Sequence, residues 1–329
     1  MKIKFLKAGS GDSILIQDEG HNILIDGGND SKYLLKEIEV IYANNEKIDL
    51  LIITHHDDDH IQGIIDVLNI DKFQKNFIKR VIFNSPRKFL DLLPQNSNSR
   101  LLSYSQAYDV ENILMDLDIP WDITTENTPD FKIGNMDLAI LAPKEIDIKK
   151  YAEDKDAKLL SNKIKDWNTD LSEILEYLDD FSQDTSSSNR TSIVLLLTHN
   201  ELKYLFTGDI TPNRLKKIID NLYEIQNNEK PVRFEIIKLP HHGSYRSLNK
   251  KILEKISCEN FVISTNSNKD NLPNKTTLGK VIKYANRIDK INFYFNYSEA
   301  LNKLNISKQD MVKYEFNLIS NNEEYGYCF

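Results

Sequence analysis

Five of the seven histidines fall in two groups: His55, His56 and His60, then His241 and His242. The first group sits in Ile53-Thr54-His55-His56-Asp57-Asp58-Asp59-His60, a run of imidazoles and carboxylates directly after an apolar segment. Imidazole nitrogen and carboxylate oxygen are the donors that Zn²⁺, Mn²⁺ and Fe accept. In an extended turn His55 and Asp57 can point to one side, and Asp59 and His60 to a neighbouring position, which suits two adjacent ions. A solvated acidic loop with incidental histidines is the plain alternative. Three acids flanked by three histidines after a buried run argue against it.

Three further run ends carry matching residue types. Ile23-Leu24-Ile25-Asp26-Gly27-Gly28 ends in a carboxylate and two glycines. An Asp-Gly turn alone would explain it, but beside the histidine cluster Asp26 is expected to orient a metal ligand or a bound water. Leu205-Phe206-Thr207-Gly208-Asp209 repeats the theme, and Asp209 is a candidate bridge between two ions. Lys238-Leu239-Pro240-His241-His242-Gly243-Ser244 offers two imidazoles, and the sequence does not choose between them. Lys238, Ser244 and Arg190 are expected near the site, where they could grip phosphate; solvation or capping explains each equally well. Gly11-Asp12-Ser13 reads first as a hairpin turn.

These residues need elements that bring run ends to one place. Short apolar runs at 3–6, 13–17 and 22–25, separated by Gly-containing turns, read as a strand meander. Residues 31–42 and 59–68 have helical periodicity, with a wholly apolar strand at 50–54 between them. Strands are expected at 80–83, 136–141, 192–198, 202–206, 234–239, 260–264, 291–295 and 312–319. Helices are expected at 101–117, 212–223, 247–256 and 276–285. Residues 151–181 are charged and Gly-free, with apolar positions at helical spacing, and read as a helical insertion or lid that could also meet a partner protein or a second copy.

Composition bounds the rest. The 329 residues carry 42 Lys+Arg against 50 Asp+Glu, a net charge of −8. That disfavours coating of nucleic acid by bulk electrostatics. No run of Lys/Arg interleaved with aromatics marks a nucleic-acid platform. Two cysteines, Cys258 and Cys328, make neither a disulfide scaffold nor a thiolate cage. There is no apolar run of membrane-spanning length and no visible signal peptide, so a cytoplasmic protein without a membrane partner is expected. Glycine is sparse and concentrated: Gly9, Gly11, Gly27, Gly28, Gly63, Gly208 and Gly243 are seven of only 11.

Taken in order, the motifs resemble the metallo-β-lactamase superfamily, and most of all the subgroup holding the hydrolase domain of ComEC-type DNA-uptake proteins and related domains of bacterial defence proteins. Gly9-Ser10-Gly11-Asp12-Ser13-Ile14 resembles its opening G-x-G-D-S strand, and Ile25-Asp26-Gly27-Gly28 its D-G-G. His55-His56-Asp57-Asp58-Asp59-His60 is similar to H-x-D-x-D-H, with Asp57 at the second His of the commoner H-x-H-x-D-H. Asn189-Arg190-Thr191-Ser192, Thr207-Gly208-Asp209 and Pro240-His241-His242-Gly243-Ser244 complete the series. The resemblance implies one α/β domain over 1–329, a four-layer αββα sandwich with the 151–181 insertion inside it and 265–329 as its C-terminal part. It implies one or two ions, usually Zn²⁺ and sometimes Mn²⁺. His55 and Asp57 would hold the first, Asp59 and His60 the second, with Asp209 bridging and His241 or His242 on the second. Two departures stand out. Asn189 is the nearest counterpart of the family's third-motif histidine, so the first position is harder and weaker and suits Mn²⁺ or partial occupancy. Asn271-Leu272-Pro273 stands where the subgroup often has Gly-His-Pro, removing a substrate-contacting imidazole.

The reaction implied is hydrolysis by a metal-bound hydroxide, with Asp59 or Asp26 positioning the water. Two ions suit a phosphodiester, in a phosphate-containing small molecule or a short nucleic acid, and a phosphodiesterase or nuclease is the leading expectation. A hydrolase of a small ester, lactone or thioester is the alternative. A non-catalytic ligand-sensing module of a bacterial defence system is a third.

Overall fold

The computed structural model describes residues 1–73, 76–85, 87–88, 105–153, 164–178, 183–227 and 229–329. The first sheet contains β1 (Lys2–Leu6), β2 (Ile14–Asp18), β3 (His21–Ile25), β4 (Leu50–Ile53), β5 (Val81–Phe83) and β6 (Trp121–Asp122), with β17 (Gly326–Cys328) beside β1 at the other edge. The second contains β7 (Phe131–Ile133), β8 (Met136–Ala142), β9 (Val194–His199), β10 (Leu202–Phe206), β12 (Ile236–Lys238), β14 (Asn260–Ile263), β15 (Ile291–Phe295) and β16 (Phe316–Ile319), in the order β16-β15-β14-β12-β10-β9-β8-β7. β11 (Val232–Arg233) and β13 (Ile256–Ser257) form a small parallel pair.

Strand alternation builds the layers. Ile23, Ile25, Leu50 and Ile52 face the second sheet and pack with Leu138, Leu195, Leu197 and Phe206. Their neighbours Leu24, Leu51 and Ile53 point the other way, under the helices α1 (Lys32–Ala43), α2 (Asp58–Leu68) and α3 (Ser105–Asp116). That two-sided burial is why residues 50–53 read as an unbroken apolar run. The outer face of the second sheet lies under α7 (Pro212–Ile225), α8 (Lys250–Leu253) and α9 (Lys275–Tyr284). The architecture is therefore αββα. In both sheets the strands that lead to the histidine and aspartate motifs are parallel to a neighbour: β3 to β4, and β10 to β12 to β14. Parallel strands bring their C-terminal ends to one edge, the place where open α/β sheets bind ligands.

Between β8 and β9 lie α4 (Glu145–Glu153), α5 (Leu171–Glu176) and α6 (Ser187–Arg190). Of the stretch read as a helical insertion, residues 154–163 and 179–181 lie outside the described residues, as do 101–104 of the helix expected at 101–117. Within the described part, Trp167 and Leu171 join the core over the second sheet. The Trp167 indole N–H donates to the Pro273 carbonyl at 2.8 Å. Asp166 caps α9 from outside, accepting from the backbone N–H of Lys275 (2.9 Å) and Thr276 (2.7 Å) and from the Thr276 hydroxyl (2.6 Å).

Three local expectations change. The helix expected over 247–256 is only α8, because Asn249 caps at Ile252 and Ile256 pairs with Val232. The strand expected from 312 starts at Phe316, because Val312 and Lys313 finish α11 (Lys308–Lys313), capped by Ser307; α10 (Ser298–Lys303) precedes it. Strand β17 had no sequence signal; it closes the first sheet and packs Tyr327 and Phe329 against Tyr294. No described helix is long and apolar enough to cross a membrane.

Candidate metal centre

The ends of β3, β4, β10, β12 and β14 meet. Asp26, one residue past β3, has φ 56°, and His241 and His242, past β12, have φ 49° and 53°. Left-handed backbone in non-glycine residues is costly and is kept where the surroundings fix it, most often at functional sites. The close approach of α2 to the Asp26 turn depends on Gly27 and Gly63. A Cβ on Gly63 would lie 2.1 Å from the Gly27 carbonyl oxygen, so the two backbones touch directly. The Gly27 N–H donates to the His60 carbonyl at 2.8 Å, which holds the start of α2 against Asp26.

Asp26 is fully buried and sets two imidazoles. Its Oδ1 accepts from the Thr54 N–H at 2.7 Å; its Oδ2 accepts from the Thr54 hydroxyl at 2.6 Å and lies 2.7 Å from His60 Nδ1. A carboxylate only accepts, so His60 carries its proton on Nδ1 and turns Nε2 to the site. The Thr54 hydroxyl, having donated to Asp26, can only accept from His55 Nδ1 at 3.1 Å, so His55 also presents Nε2. His242 follows the same rule with a different acceptor, the Ser264 carbonyl 2.9 Å from its Nδ1. The Nε2 atoms of His55, His60 and His242 are buried and have no hydrogen-bond partner, and neither does Asp209 Oδ1.

These atoms converge. Asp209 Oδ1 is 3.5 Å from His60 Nε2, and its Oδ2 is 3.4 Å from His242 Nε2 and 3.8 Å from His241 Nε2. Asp59 Oδ2 is 3.6 Å from His242 Nε2. One donor atom each from Asp12, His60, Asp209 and His242 lies within 4.8 Å of the other three. Asp57 stands at the first-turn cap of α2 yet does not cap it; its carboxylate faces His55 Nε2 at 3.7 Å and accepts from the Ser188 hydroxyl at 2.8 Å.

Charge points the same way. Asp12, Asp26, Asp57, Asp59, Asp184 and Asp209 gather at this edge, against the ammonium groups of Lys238 and Lys269. Burial alone would drive the imidazoles neutral, but the Asp209 and Asp26 carboxylates push His60 well above its usual range, and Asp209 and Asp12 push His242 up to about 9. Burial likewise disfavours the Asp209 anion, yet His242, His60 and His241 hold its carboxyl well below the ordinary range. A field that keeps protons on buried imidazoles favours cations, and a divalent ion replaces those protons. Buried lone pairs without partners, a shared carboxylate and excess negative charge fit a divalent metal.

The structure separates residues that the sequence left together. Of the two imidazoles in question, His242 is buried among the acceptors, whereas His241 has a 21% exposed side chain and leans on Asp184 at 3.2 Å. His56 turns away, its Nε2 2.8 Å from the Asn84 carbonyl, its ring stacked on Tyr151 and edge-on to Phe83. A cavity of about 210 Å³ opens over the cluster, lined by Asp57, Asp59, Asn189, Asp209, His241, His242 and Lys269 among others. Asn189 lies at its wall with its amide committed to Asp184 at 2.7 Å. Lys238 and Ser244 correct the expectation of substrate contact. Lys238 is fully buried and paired with Asp12, behind the cluster; Ser244 is buried, its hydroxyl accepting from the Arg246 N–H. Arg190 does not line the cavity. Three residues had not been singled out for this chemistry. Asp12 lies 3.5 Å from His242 Nδ1, Asp184 holds His241, and Lys269 reaches Asp59 at 3.3 Å from the open side. Only Asp12 had a signal, its place in the G-x-G-D-S motif.

Residues 6–88 match the metallo-beta-lactamase superfamily. The match holds Asp12, Asp26 and His55 to His60, and stops before Asp209 and His242. No curated protein matches the chain. Among solved structures, the fold is similar to zinc-bound PqqB from Methylobacterium extorquens (10% identity, all of this chain and 99% of that one, TM-score 0.49). It is also similar to the metallo-beta-lactamase fold protein YhfI from Bacillus subtilis (10% identity, 100% and 98% covered, TM-score 0.42). A third is Igni18, a metallo hydrolase from Ignicoccus hospitalis (13% identity, 100% and 98% covered, TM-score 0.42).

Proposed function

We propose that the chain is a metal-dependent phosphodiesterase of the ComEC-like kind, acting on a phosphate-containing small molecule or a short nucleic acid, with zinc as the ion and manganese as the alternative at the His55–Asp57 half. The observation that carries this reading is the convergence of the unpartnered Nε2 atoms of His60 and His242 on the two oxygens of Asp209. A divalent ion bound there would supply an acidified water and counter-charge at the attacked phosphorus. The chain's own residues do the rest. Asp26 and the Ser264 carbonyl fix the tautomers of His60 and His242. Asp209, with one oxygen toward each imidazole, is placed to bridge. Asp59 turns one oxygen to His242 and the other to Lys269, and is the carboxylate placed to hold the attacking water. Burial opposes the Lys269 charge, but the neighbouring Asp59 keeps its ammonium protonated. That cation, on the open side, balances the charge of a phosphate and takes the place of the imidazole missing at Asn271-Leu272-Pro273.

The test is hydrolysis of bis-p-nitrophenyl phosphate and of a p-nitrophenyl ester with Zn²⁺ and Mn²⁺. Phosphodiester turnover is expected, reduced at least about 100-fold by Asp59→Ala. Asp57→Ala should cost less, because its half has His55 and no second imidazole. Ester turnover without phosphodiester turnover would replace this reading with the small-ester one. Equal losses in the two variants would replace the asymmetric centre with two equal ions.

A further inference from the structure

Behind the metal centre, Asp12 and Lys238 form a buried ion pair with no part in the hydrolysis itself. Lys238 ends β12, which runs between β10 and β14 with every residue buried. A lysine in such a strand has to be paired, because a bare ammonium in the interior is costly. Its partner comes from the first sheet. Asp12 lies in the connection between β1 and β2, and Gly11 lets that connection press on the start of α2. A Cβ on Gly11 would lie 1.5 Å from the Asp59 carbonyl oxygen. The Gly11 carbonyl accepts from the Ser264 hydroxyl at 3.0 Å, which ties the same turn to the end of β14.

Each member of the pair also faces the metal centre. Lys238 has three N–H donors. It pairs with Asp12 Oδ2 and donates to the Gly208 carbonyl at 3.2 Å. Asp209 Oδ1 lies 3.8 Å from the same ammonium, beyond hydrogen-bond length, and is buried without a hydrogen-bond partner among the described residues. Asp12 Oδ1 is likewise buried and accepts no hydrogen bond among the described residues. His242 Nδ1 is 3.5 Å from it but turns its proton to the Ser264 carbonyl at 2.9 Å. One oxygen of Asp12 belongs to the group of donor atoms with His60, Asp209 and His242, all within 4.8 Å of one another. The pair thus holds back two charges that would otherwise act on a bound ion: a carboxylate beside its ligands, and an ammonium beside its bridging aspartate. Attraction between unit charges at such distances is strong where water is excluded.

We propose that Lys238 and Asp12 restrain each other: Lys238 keeps the Asp12 carboxylate out of the coordination of the ion, and Asp12 keeps the Lys238 ammonium off Asp209. Both are positioning residues. The proposal rests on the metal centre and not on the substrate. The experiment is zinc affinity, by competition with a chromogenic chelator, in Asp12→Asn, Lys238→Met and the double variant. Asp12→Asn releases Lys238 toward Asp209, where it competes with the ion, and should weaken binding about tenfold. Lys238→Met releases Asp12 as an added ligand and should tighten binding at least about threefold. The double variant should return to within about threefold of the wild type, because the two residues act on each other. A pair that only supports the fold would weaken binding in both single variants, since breaking a buried pair on one side leaves an uncompensated charge. With cobalt in place of zinc, Lys238→Met should also change the visible absorption, which reports the ligand set. Weakened or unchanged zinc binding in Lys238→Met would overturn the proposal. So would tightening with an unaltered cobalt spectrum, which leaves Asp12 a counter-charge only. If Lys238→Met does not fold, the double variant decides: affinity restored relative to Asp12→Asn supports the proposal, and affinity as low or lower overturns it. A wild type that binds no zinc sinks the metal centre and this proposal together. Zinc bound without phosphodiester turnover sinks the phosphodiesterase reading alone.

Discussion

Asp26 carries much of the site without facing it. Its two oxygens take three hydrogen-bond donors, from Thr54 twice and from His60, and through the Thr54 hydroxyl it reaches His55 as well. A carboxylate behind a ligating imidazole fixes the ring and raises its basicity, and replacing such a partner typically costs about 10–100-fold in metal affinity. Asp26→Asn should therefore weaken metal binding by about that factor in a competition titration with a chromogenic chelator. The amide keeps the volume and one acceptor, so the fold should survive. Unchanged affinity would mean that Thr54 and packing alone hold His60. The choice between His241 and His242 also belongs to this scale. They are adjacent and chemically identical, so no spacing rule separates them. Two consecutive left-handed residues do, sending one ring to the buried Ser264 carbonyl and the other to the rim.

At the scale of elements, the sequence was most legible where one segment both forms the element and carries the motif. Leu50 to Ile53 followed by the histidine run, and Lys238 leading into Pro240, announce a strand and its reactive end together. Less was legible where an element is completed from a distance. The α9 cap is the clearest case: Asn274 stands in the cap position but its side chain does not cap the helix, its Oδ1 accepting from the Tyr245 N–H instead, and Asp166 accepts three hydrogen bonds there from beyond β8. A sequence shows Asp166 only as one charge among many. Asp166→Ala should lower the free energy of unfolding by about 1–2 kcal/mol, the range for loss of a helix cap, read from a urea titration. The same cap seats Trp167 against Pro273, so residues 164–178 are tied to the core, and a deletion reaching them should cost stability and not only substrate preference. An unshifted urea midpoint would show that water replaces Asp166 at no cost.

For the whole molecule, the sandwich can be read from alternating strands and from strand ends that all bear ligands or their supports. What could not be read is how separate segments share charge. Asp12 is partnered by Lys238 across the two sheets, and that pairing removes Lys238 from the substrate side. Lys269 enters the cavity from the loop after β14. Long-range pairing of this kind has no local signature. Among the described residues, the edge where the strands end gathers six carboxylates against two ammonium groups, so divalent cations belong to the folded state and should raise its stability by linkage. The central claim is that His60, His242 and Asp209 hold a divalent ion, and the most direct measurement is metal content by inductively coupled plasma mass spectrometry after equilibration with zinc and gel filtration. The expected result is one to two zinc ions per chain in the wild type, with at least one lost in a folded His60→Ala/His242→Ala double variant. A wild type that retains no zinc, or a double variant that retains as much, would contradict it.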